Sequence, residues 1–393
     1  MRGPPHSDIV AVHAIPRLGS EHCMNSHRDT RPHVSAIYVD MGTTNTRGWL
    51  MCGGQMVARF NRPAGVRDTA RDGSPQKIHS ALRELIETLQ AEINKASKTA
   101  ASNLASKLTL SAPTCIVAAG MIGSPLGLAE VPHLPAPAGL AEIAAASKWF
   151  QFPEITELPI LLVPGVRSGP AEAKLEKIHT TDVMRGEETL CIGLTAMGYV
   201  QTPAVVLNLG SHWKAIQLDA EGRIESSSTS LSGELIHAAQ TQTILASALP
   251  EERASAIAGP WMKAGMKEQR RSGLARAVFS VRLLQLAKQG TPEERLSFLI
   301  GAFVASDMDA LIARRVLAEE KQVAIVGTAA LAEAWRSALT GMSVPATVLS
   351  TAETEDALLT GLRCILEKCL VTKGTKESKT PSHREGAETR RKR

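Results

Sequence analysis

Two segments separated by nearly half of the chain share one layout. Residues 39–47 read Val-Asp-Met-Gly-Thr-Thr-Asn-Thr-Arg, and residues 207–214 read Leu-Asn-Leu-Gly-Ser-His-Trp-Lys. In each segment an apolar, strand-like run ends in Asp or Asn, and a glycine, a small hydroxyl residue and a cation follow. Glycine lets backbone N–H groups approach a ligand closely, and a hydroxyl group and a positive side chain beside it suit an oligophosphate. The duplication predicts two related lobes that close on one nucleotide, and therefore a phosphotransferase.

Strand-like and helix-like segments alternate along the chain, which indicates an α/β architecture. With 393 residues, the chain is long enough for two domains rather than one. The repeated glycine turn divides it into one lobe over residues 34–198 and a second lobe over residues 199–372. The polar N-terminal extension (residues 1–33) and the basic tail (residues 373–393) lack the apolar content of a core, so we expect both to be disordered.

The spacing of apolar residues locates the individual elements. Apolar runs bounded by turn residues predict strands at 36–40, 47–51, 115–119, 160–163, 204–209, 215–218 and 323–326. Apolar residues at helical spacing predict helices at 78–93, 186–197, 234–249, 293–317, 329–339 and 355–370. Gly301 lies inside one of these helices, which predicts a close contact with another helix.

Charge and composition exclude several classes of protein. The net charge of +5 equals the charge of residues 373–393 alone, so the body of the chain is nearly neutral and shows no basic face for nucleic acid. Aromatic residues make up 3% of the chain, which also disfavours a surface that stacks on bases. The cysteines show neither a Cys-x-x-Cys pair nor metal-ligand spacing, and no apolar stretch has secretory or membrane-spanning length. We therefore expect a cytoplasmic protein that acts on small molecules without a membrane, and a homo-oligomer is compatible with the sequence.

The first glycine turn carries more hydrogen-bond donors than a structural turn needs. Asp-x-Gly is common in ordinary hairpins, but here Thr43, Thr44, Asn45 and Arg47 follow it closely. We expect Asp40 to hold Mg²⁺ through water, because Mg²⁺ gives up its hydration shell reluctantly. The residues that we expect to bind the phosphates of ATP are Gly42, Thr43 and Thr44 from this turn and Gly210, Ser211 and Lys214 from the second turn.

Two further signals in the second half of the chain are less specific. His212 either donates to a phosphate or fills space, and the sequence leaves both readings open. Gly327 and Thr328 form a strand-to-helix turn that fits the adenosine side of a nucleotide site, although such turns are frequent in α/β proteins.

Taken together, these residues resemble one family, 2-dehydro-3-deoxygalactonokinase, over residues 34–370. The motifs that carry the resemblance are Asp40-x-Gly42-Thr43-Thr44-Asn45-x-Arg47-x-Trp49-Leu50, residues 119–124 with Pro132-His133 and Pro137-Ala138, Pro164-Gly165, residues 183–189, Gly210-Ser211-His212-x-Lys214, residues 232–235 and residues 326–328. The most specific is the string Met-Arg-Gly-Glu-Glu-Thr at residues 184–189. The chain departs from the family pattern at Met41, at Leu209 and Ala215, and at residues 241–243.

The resemblance implies an actin/Hsp70/hexokinase-type fold, which is ribonuclease H-like, with duplicated βββαβα lobes around a nucleotide cleft. It also implies a kinase of galactonate catabolism that uses ATP and Mg²⁺ to phosphorylate 2-dehydro-3-deoxy-D-galactonate at the 6-hydroxyl. In related carbohydrate kinases such as glycerol kinase, a Gly-Asp pair that opens a helix supplies the base, and Gly186-Glu187 is similar to it. We therefore expect Glu187 to be the catalytic base and keep Glu188 as the alternative, while either acid can simply favour the helix dipole.

A sugar-acid substrate requires a cation or a helix N-terminus for its carboxylate. Arg185, beside the two acids, is the first candidate, with Arg47 and Arg167 behind it; each of them can equally form an ordinary salt bridge. The other residues that we expect to contact the substrate are Asn45 of the first turn and Met121 and Ser124 of the glycine-containing loop at residues 120–127.

Two other functions fit the same sequence. A non-catalytic relative with this fold would use ATP-driven closure of its lobes as a switch that a partner protein reads. A kinase for a different 2-keto-3-deoxy sugar acid would share these motifs, because stereochemistry is recognised by a few hydroxyl contacts. ADP release with and without sugar acid separates the switch from a kinase, and a panel of sugar acids separates the kinases from each other.

Overall fold

The computed structural model describes residues 34–102, 111–172, 174–317 and 321–377. The predicted N-terminal extension lies outside these residues, as do residues 378–393 of the predicted tail. The last helix continues to Glu377 and therefore includes the first residues of that tail.

The first half of the chain forms a lobe around a six-stranded sheet. Its elements are β1 (Ala36–Met41), β2 (Thr46–Cys52), β3 (Gln55–Arg62), α1 (Val66–Asp72), α2 (Gln76–Ser102), β4 (Cys115–Gly120), β5 (Leu134–Pro135), α3 (Leu140–Ala146), β6 (Lys148–Phe152), β7 (Thr156–Leu162), β8 (Val166–Ser168), β9 (Asp182–Met184) and α4 (Glu187–Ala196). The sheet has the strand order β3-β2-β1-β4-β7-β6, and β5, β8 and β9 form a separate small sheet. Strands β1 to β3 are antiparallel neighbours, whereas β4 and β7 extend the sheet parallel to β1.

The second half forms a lobe with the same topology. Its elements are β10 (Ala204–Leu209), β11 (Trp213–Leu218), β12 (Ile224–Ser230), α5 (Ser232–Gln242), α6 (Gly259–Ser272), α7 (Leu274–Leu286), α8 (Pro292–Ala313), β13 (Gln322–Gly327), α9 (Ala329–Thr340), β14 (Ala346–Val348) and α10 (Thr351–Glu377). The sheet order β12-β11-β10-β13-β14 repeats β3-β2-β1-β4-β7, with the same parallel and antiparallel pairs. The duplicated lobes confirm the α/β, actin-like architecture that the sequence predicts.

Both faces of each sheet are buried, so alternate residues of a strand enter different cores. Along β1, Ile37 and Val39 pack in an outer core with α2, whereas Ala36 and Tyr38 enter a central core. Along β10, Val206 enters the same central core and its neighbours in sequence pack in the outer core of the second lobe. Helices α4 and α10 contribute their apolar side chains to the central core, which they share with both sheets.

Helices α4 and α10 cross backbone to backbone at two glycines. A β-carbon at Gly193 of α4 would lie 1.7 Å from the carbonyl oxygen of Ala357, and one at Gly361 of α10 would lie 1.9 Å from that of Thr189. Neither position tolerates a side chain without separating the helices. The predicted division between residues 198 and 199 falls in the connection from α4 to β10, while α10 returns from the second lobe to pack against α4.

Helix α8 is long and apolar enough to cross a membrane by length and composition, contrary to the expectation from the sequence. The fold buries 67% of its apolar window. A β-carbon at Gly301 would lie 2.1 Å from the carbonyl oxygen of Met262 in α6, which confirms the predicted helix contact. This packing is that of a core helix, whose uniform apolarity reflects burial on several sides.

The elements differ from the predicted ones in both lobes. In the first lobe, no predicted element corresponds to β3, β5, β6, β8, β9, α1 or α3. The helix predicted over residues 234–249 is wrong in length: α5 ends at Gln242, because the Thr243 hydroxyl accepts a hydrogen bond from Leu245 N–H at 3.1 Å and starts a separate 3₁₀ turn. The sequence also predicts no element over residues 250–292, where α6 and α7 lie.

Candidate active site

The two glycine turns line one cleft, which confirms their predicted juxtaposition. The cleft has a volume of about 750 Å³. The first turn contributes Gly42, Thr43 and Thr44 to its wall, and the second contributes Gly210 and Ser211. The other predicted site residues in the wall are Asp40, Asn45, Arg47 and Thr328.

The first turn is supported from behind by the start of α1. The N–H of Gly42 donates to the carbonyl oxygen of Asn45 at 2.8 Å and closes the turn. The N–H of Arg67 donates to the carbonyl oxygen of Thr43 at 2.9 Å, and a β-carbon at Gly65 would lie 2.5 Å from the same oxygen. The side chains of Thr43 and Thr44 stay exposed at the cleft, so their hydroxyl groups remain available to a ligand.

The second turn is supported in the same way by the start of α5. A β-carbon at Gly233 would lie 2.3 Å from the carbonyl oxygen of Gly210. The carboxylate of Asp307 in α8 accepts hydrogen bonds from the hydroxyl groups of Ser230 at 2.5 Å and Ser232 at 2.8 Å, which fixes the connection from β12 to α5. Each turn therefore packs on a glycine at the start of the helix that follows the third strand of its lobe.

Asp40 lies at the end of β1, where two glycines approach its carboxylate. Its Oδ2 accepts a hydrogen bond from Nη2 of Arg47 at 2.5 Å, and the Arg47 side chain is 54% exposed. Gly120 and Gly186 have φ values of 82° and 105°, which favour glycine. A β-carbon at Gly120 would lie 3.0 Å from Oδ1 of Asp40, and one at Gly186 would lie 3.7 Å from it. The glycines thus let the start of α4 approach Asp40.

The two acids at the start of α4 have different surroundings. Glu188 is fully buried, and its two carboxylate oxygens accept hydrogen bonds from the N–H of Gly186 at 2.9 and 2.8 Å. Oε1 of Glu187 lies 3.5 Å from Nδ2 of Asn208, and its buried Oε2 has no hydrogen-bond partner among the described residues. Glu188 therefore caps its own helix, whereas Glu187 keeps an oxygen that can accept a proton.

Burial changes the acidity of both groups. Burial raises the pKa of Glu187. The Lys214 ammonium group lowers this pKa, and the Asp40 carboxylate raises it further. Burial, followed by the negative charge of Glu187, raises the pKa of Glu188 to about 8. A carboxylate with a raised pKa is more basic than an exposed one, which suits a proton acceptor.

Arg185 lies beside an uncharged histidine. Its Nη2 donates to the carbonyl oxygen of Val131 at 2.8 Å and lies 3.4 Å from Nδ1 of His133, while its buried Nη1 has no partner among the described residues. Burial and the positive charge of Arg185 lower the pKa of His133 to about 4, so the ring is neutral at pH 7. A β-carbon at Gly123 would lie 3.3 Å from Nη1 of Arg185, and one at Gly165 would lie 2.8 Å from Cδ2 of His133. A guanidinium group with an unpaired N–H is suited to a carboxylate.

Two residues of the second turn do not line the cleft. Lys214 is buried, and its ammonium group donates to the carbonyl oxygen of Val183 at 3.0 Å and to the Thr229 hydroxyl at 2.9 Å. This placement does not support the expectation that Lys214 binds phosphate. Nε2 of His212 lies 3.2 Å from a carboxylate oxygen of Glu234 in α5, which favours the structural reading of His212.

Three residues predicted to contact substrate are occupied within their own loops. The Ser124 hydroxyl is buried and donates to the carbonyl oxygen of Met121 at 2.7 Å, while the Met121 side chain packs against the outer core of the first lobe. The guanidinium group of Arg167 donates to the carbonyl oxygen of Pro170 at 2.7 Å. These contacts favour structural roles, which the spacing of residues along the chain does not reveal.

The far end of the cleft has an apolar wall that sequence reasoning missed. Its apolar residues are Ile236, Ala254, Leu296, Ile300 and Leu331. Beside them Nδ1 of His237 is buried without a hydrogen-bond partner in the described part of the chain. Gly327 lies outside the wall; a β-carbon there would lie 2.8 Å from that of Leu209, so it serves the pairing of β13 with β10. Apolar walls with a few polar groups suit a purine ring, and Thr328 adjoins this end.

Asp40 is the carboxylate in the cleft wall that could bind a metal ion. Within the described ranges, no three His, Cys, Asp or Glu side chains are grouped as a metal site. Mg²⁺ in phosphoryl-transfer sites is usually held by one or two carboxylates together with the phosphates of the substrate. A single carboxylate beside a phosphate-type turn therefore fits Mg²⁺ that is shared with a nucleotide.

Comparisons with known proteins agree with this geometry. The profile of the 2-keto-3-deoxy-galactonokinase family matches residues 40–365. The chain is 26% identical over 335 residues to the 2-dehydro-3-deoxygalactonokinase of Escherichia coli (strain K12), which covers 84% of this chain and 96% of that protein. It is 27% identical over 304 residues to a probable 2-dehydro-3-deoxygalactonokinase of Rhizobium meliloti (strain 1021), which covers 77% and 87% respectively. A crystal structure from Sinorhizobium meliloti, provisionally named 2-dehydro-3-deoxygalactonokinase, shares the fold with a TM-score of 0.63 and 24% identity, over 84% of this chain and 98% of that one.

Proposed function

The chain belongs to the 2-keto-3-deoxy-galactonokinase family, and we propose that it transfers the γ-phosphoryl group of ATP to the 6-hydroxyl of 2-dehydro-3-deoxy-D-galactonate. The observation that carries the proposal is the position of Glu187. Its carboxylate lies near Asn208 of the second hairpin, interacts electrostatically with Asp40 of the first, and keeps one oxygen without a partner. Glu187 is not part of the cleft wall in this structure, but its carboxylate lies beside residues of both hairpins, and we propose that it is the base.

In the proposed reaction, Glu187 orients the 6-hydroxyl and accepts its proton. The oxygen of that hydroxyl forms a bond to the γ-phosphorus while the bond from the γ-phosphorus to the β,γ-bridging oxygen breaks, which leaves the 6-phosphate and ADP. Asp40 would hold Mg²⁺ together with the phosphates of ATP, and the ion would supply positive charge that offsets the charge on the transferring group. Thr43, Thr44 and Ser211 donate to the phosphates from the two sides of the cleft. Closure of the lobes excludes water, which otherwise competes as the acceptor.

Arg185 is the proposed anchor for the substrate carboxylate. Its unpaired Nη1 offers a charge-assisted hydrogen bond. His133 does not compete for the substrate as a second cation, because its low pKa keeps the ring neutral at pH 7. A carboxylate at this position would set the distance from the acid end of the sugar to the 6-hydroxyl, and so the length of the substrate.

The reaction requires ATP, and we place it in the cytoplasm. The cysteines of the described residues carry free thiols, as expected in a reducing compartment: Cys52, Cys115, Cys191, Cys364 and Cys369.

A coupled ADP-release assay tests the proposal with purified protein, ATP and Mg²⁺. We expect little hydrolysis of ATP alone and strong stimulation by 2-dehydro-3-deoxy-D-galactonate. Its C4 epimer, 2-dehydro-3-deoxy-D-gluconate, and the corresponding alditol without a carboxylate are the comparison substrates. Stimulation by the epimer alone would reassign the substrate within the same class, and sugar-independent hydrolysis would replace the kinase by a nucleotide switch.

A further inference from the structure

Lys214 holds a buried charge that the phosphate sites do not use. Its side chain leaves β11 on the face that carries Ile216 and Leu218 into the central core, away from the outer core of the second lobe. Its ammonium group donates to the Val183 carbonyl at 3.0 Å and to the Thr229 hydroxyl at 2.9 Å. Both acceptors are neutral, and a buried ammonium group is costly without a counter-charge.

Two carboxylates lie near this charge: Asp182, which accepts a hydrogen bond from the same Thr229 hydroxyl, and Glu187. Lys214 has the largest charge effect on the Glu187 carboxyl group and opposes the effect of burial on its pKa. Lys214 pairs directly across the hairpin with Asn208, whose Nδ2 lies 3.5 Å from Oε1 of Glu187. Directly paired residues of antiparallel strands project from the same face, so the amide and the ammonium group approach Glu187 together from the second lobe.

The other charged or titratable neighbours of Glu187 do not favour its ionised form. Asp40, from β1, carries the same charge and raises the pKa of Glu187. Glu188 and Cys191 belong to the same helix, and burial raises the pKa of both groups. Among the largest influences on the pKa of Glu187 in the described part of the chain, Lys214 is the one that comes from a cation.

We infer that Lys214 and Asn208 are positioning residues that orient the Glu187 carboxylate and keep it ionised, instead of binding the phosphates of ATP. The inference rests on the proposed role of Glu187 as the base. Glu187 belongs to the first lobe, whereas Lys214 and Asn208 belong to the second. The base therefore depends on side chains from both lobes.

Thr229 places the ammonium group. Its hydroxyl donates to Oδ2 of Asp182 at 2.9 Å and accepts from Lys214. Asp182 thereby fixes the direction of the hydroxyl hydrogen and leaves a lone pair for Lys214. The Asp182–Thr229–Lys214 chain joins β9 of the first lobe to the second sheet.

The pH dependence of kcat/KM for the sugar acid, measured with saturating ATP, tests this inference. In Lys214→Met the midpoint of the acidic limb should rise by about 1 pH unit or more, because an opposite charge at close range lowers a carboxyl pKa by about 1 to 3 units. Lys214→Arg keeps the positive charge, so the midpoint of its acidic limb should lie close to that of the unmodified protein. Thr229→Val keeps the Lys214 charge but removes the hydroxyl that accepts a hydrogen bond from it. This variant should shift the midpoint of the acidic limb less than Lys214→Met does. The KM for ATP should stay within about twofold in all three variants, because we assign no phosphate contact to Lys214.

An unchanged acidic limb with a large rise in the KM for ATP would overturn the inference and return Lys214 to the phosphates. A second readout does not depend on turnover. The carboxyl ¹³C resonance of Glu187, assigned by its loss in Glu187→Gln, should titrate at higher pH in Lys214→Met than in the unmodified protein. If no sugar acid is phosphorylated but this shift is seen, the proposed function fails and the charge coupling stands. If activity is present and the resonance does not shift, the coupling fails and the function stands.

Discussion

The two glycine hairpins have the same backbone but different distributions of charge. In the first hairpin Asp40 pairs with Arg47 across the strands, and the two form an ion pair at the wall of the cleft. In the second hairpin Asn208 pairs with Lys214 in the same register, but the amide is neutral and the ammonium group is buried. In the proposal, the carboxylate at the first position binds Mg²⁺, whereas the cation that pairs with the amide at the second position acts on Glu187. The two hairpins thus have equivalent backbones, and the differences between Asp and Asn and between Arg and Lys are the basis of their two proposed roles.

The largest expected effect comes from the carboxylate between the hairpins. Glu187→Gln should lower kcat by about 10²- to 10⁴-fold, the usual contribution of a general base, while ATP still binds. Single-turnover kinetics and nucleotide titration by calorimetry measure the two quantities. Glu234→Gln, an exposed acid of α5 that contacts His212, is the control and should keep normal turnover. An active Glu187→Gln protein would transfer the role of the base to another group.

Changing the first hairpin to resemble the second should have the next largest effect. Asp40→Asn removes the anion that we assign to Mg²⁺ and should lower kcat by about 100-fold, because a metal ion contributes several kcal/mol to phosphoryl transfer. The Mg²⁺ concentration for half-maximal rate should rise as well. A variant with normal Mg²⁺ dependence would show that the metal ion is held by other groups.

Substitution of the glycine behind either turn should have a similar effect on stability and on ATP binding, because each glycine supports one hairpin. Gly65→Ala and Gly233→Ala place a methyl group against a turn carbonyl oxygen at 2.5 and 2.3 Å respectively. Each should lower the free energy of unfolding by about 1 to 3 kcal/mol and raise the KM for ATP. Thermal denaturation and steady-state kinetics of the two variants check this. A change in the KM for ATP in only one of them would mean that only one hairpin binds the nucleotide.

Changing the second hairpin to resemble the first should have the smallest effect. Asn208→Asp introduces a carboxylate beside Glu187 and gives Lys214 a competing partner. A like charge raises a carboxyl pKa, so the deprotonated base is lost at a higher pH and the acidic limb of kcat/KM should move up by about 1 unit. The rate well above that limb should also fall, because a carboxylate oxygen cannot donate to Glu187 as Nδ2 of Asn208 does. A limb that moves to lower pH would contradict the arrangement of charges around Glu187.

The sequence alone predicted the parts of the site that are local in the chain. An apolar run, Asp or Asn, and glycine are enough to place Gly42 and Gly210 at strand ends, and their duplication predicted the shared cleft. The choice of Glu187 over Glu188 came from the family resemblance. The different hydrogen bonds of the two acids depend on how the backbone of Gly186 turns, which no spacing shows.

Other features required the three-dimensional packing. The alternation of side chains along β11 shows that Lys214 and Trp213 face opposite sides of the sheet. Because both sides of this sheet are buried, the sequence pattern does not tell which side meets the cleft. The apolar wall of the nucleotide end combines α5, α8 and α9, which are far apart in the chain. The position of α10 against α4 depends on Gly193 and Gly361, whose contact joins the two lobes.

A crystal structure with Mg²⁺, a non-hydrolysable ATP analogue and 2-dehydro-3-deoxy-D-galactonate tests the central claim most directly. The account predicts phosphates in contact with both Gly42–Thr44 and Gly210–Ser211, and a Glu187 carboxylate about 2.6 to 3.2 Å from the 6-hydroxyl of the sugar acid. Lys214 should keep its hydrogen bonds to Val183 and Thr229 and contact no phosphate oxygen. Phosphates bound by one hairpin alone, or a 6-hydroxyl that is remote from Glu187, would contradict it.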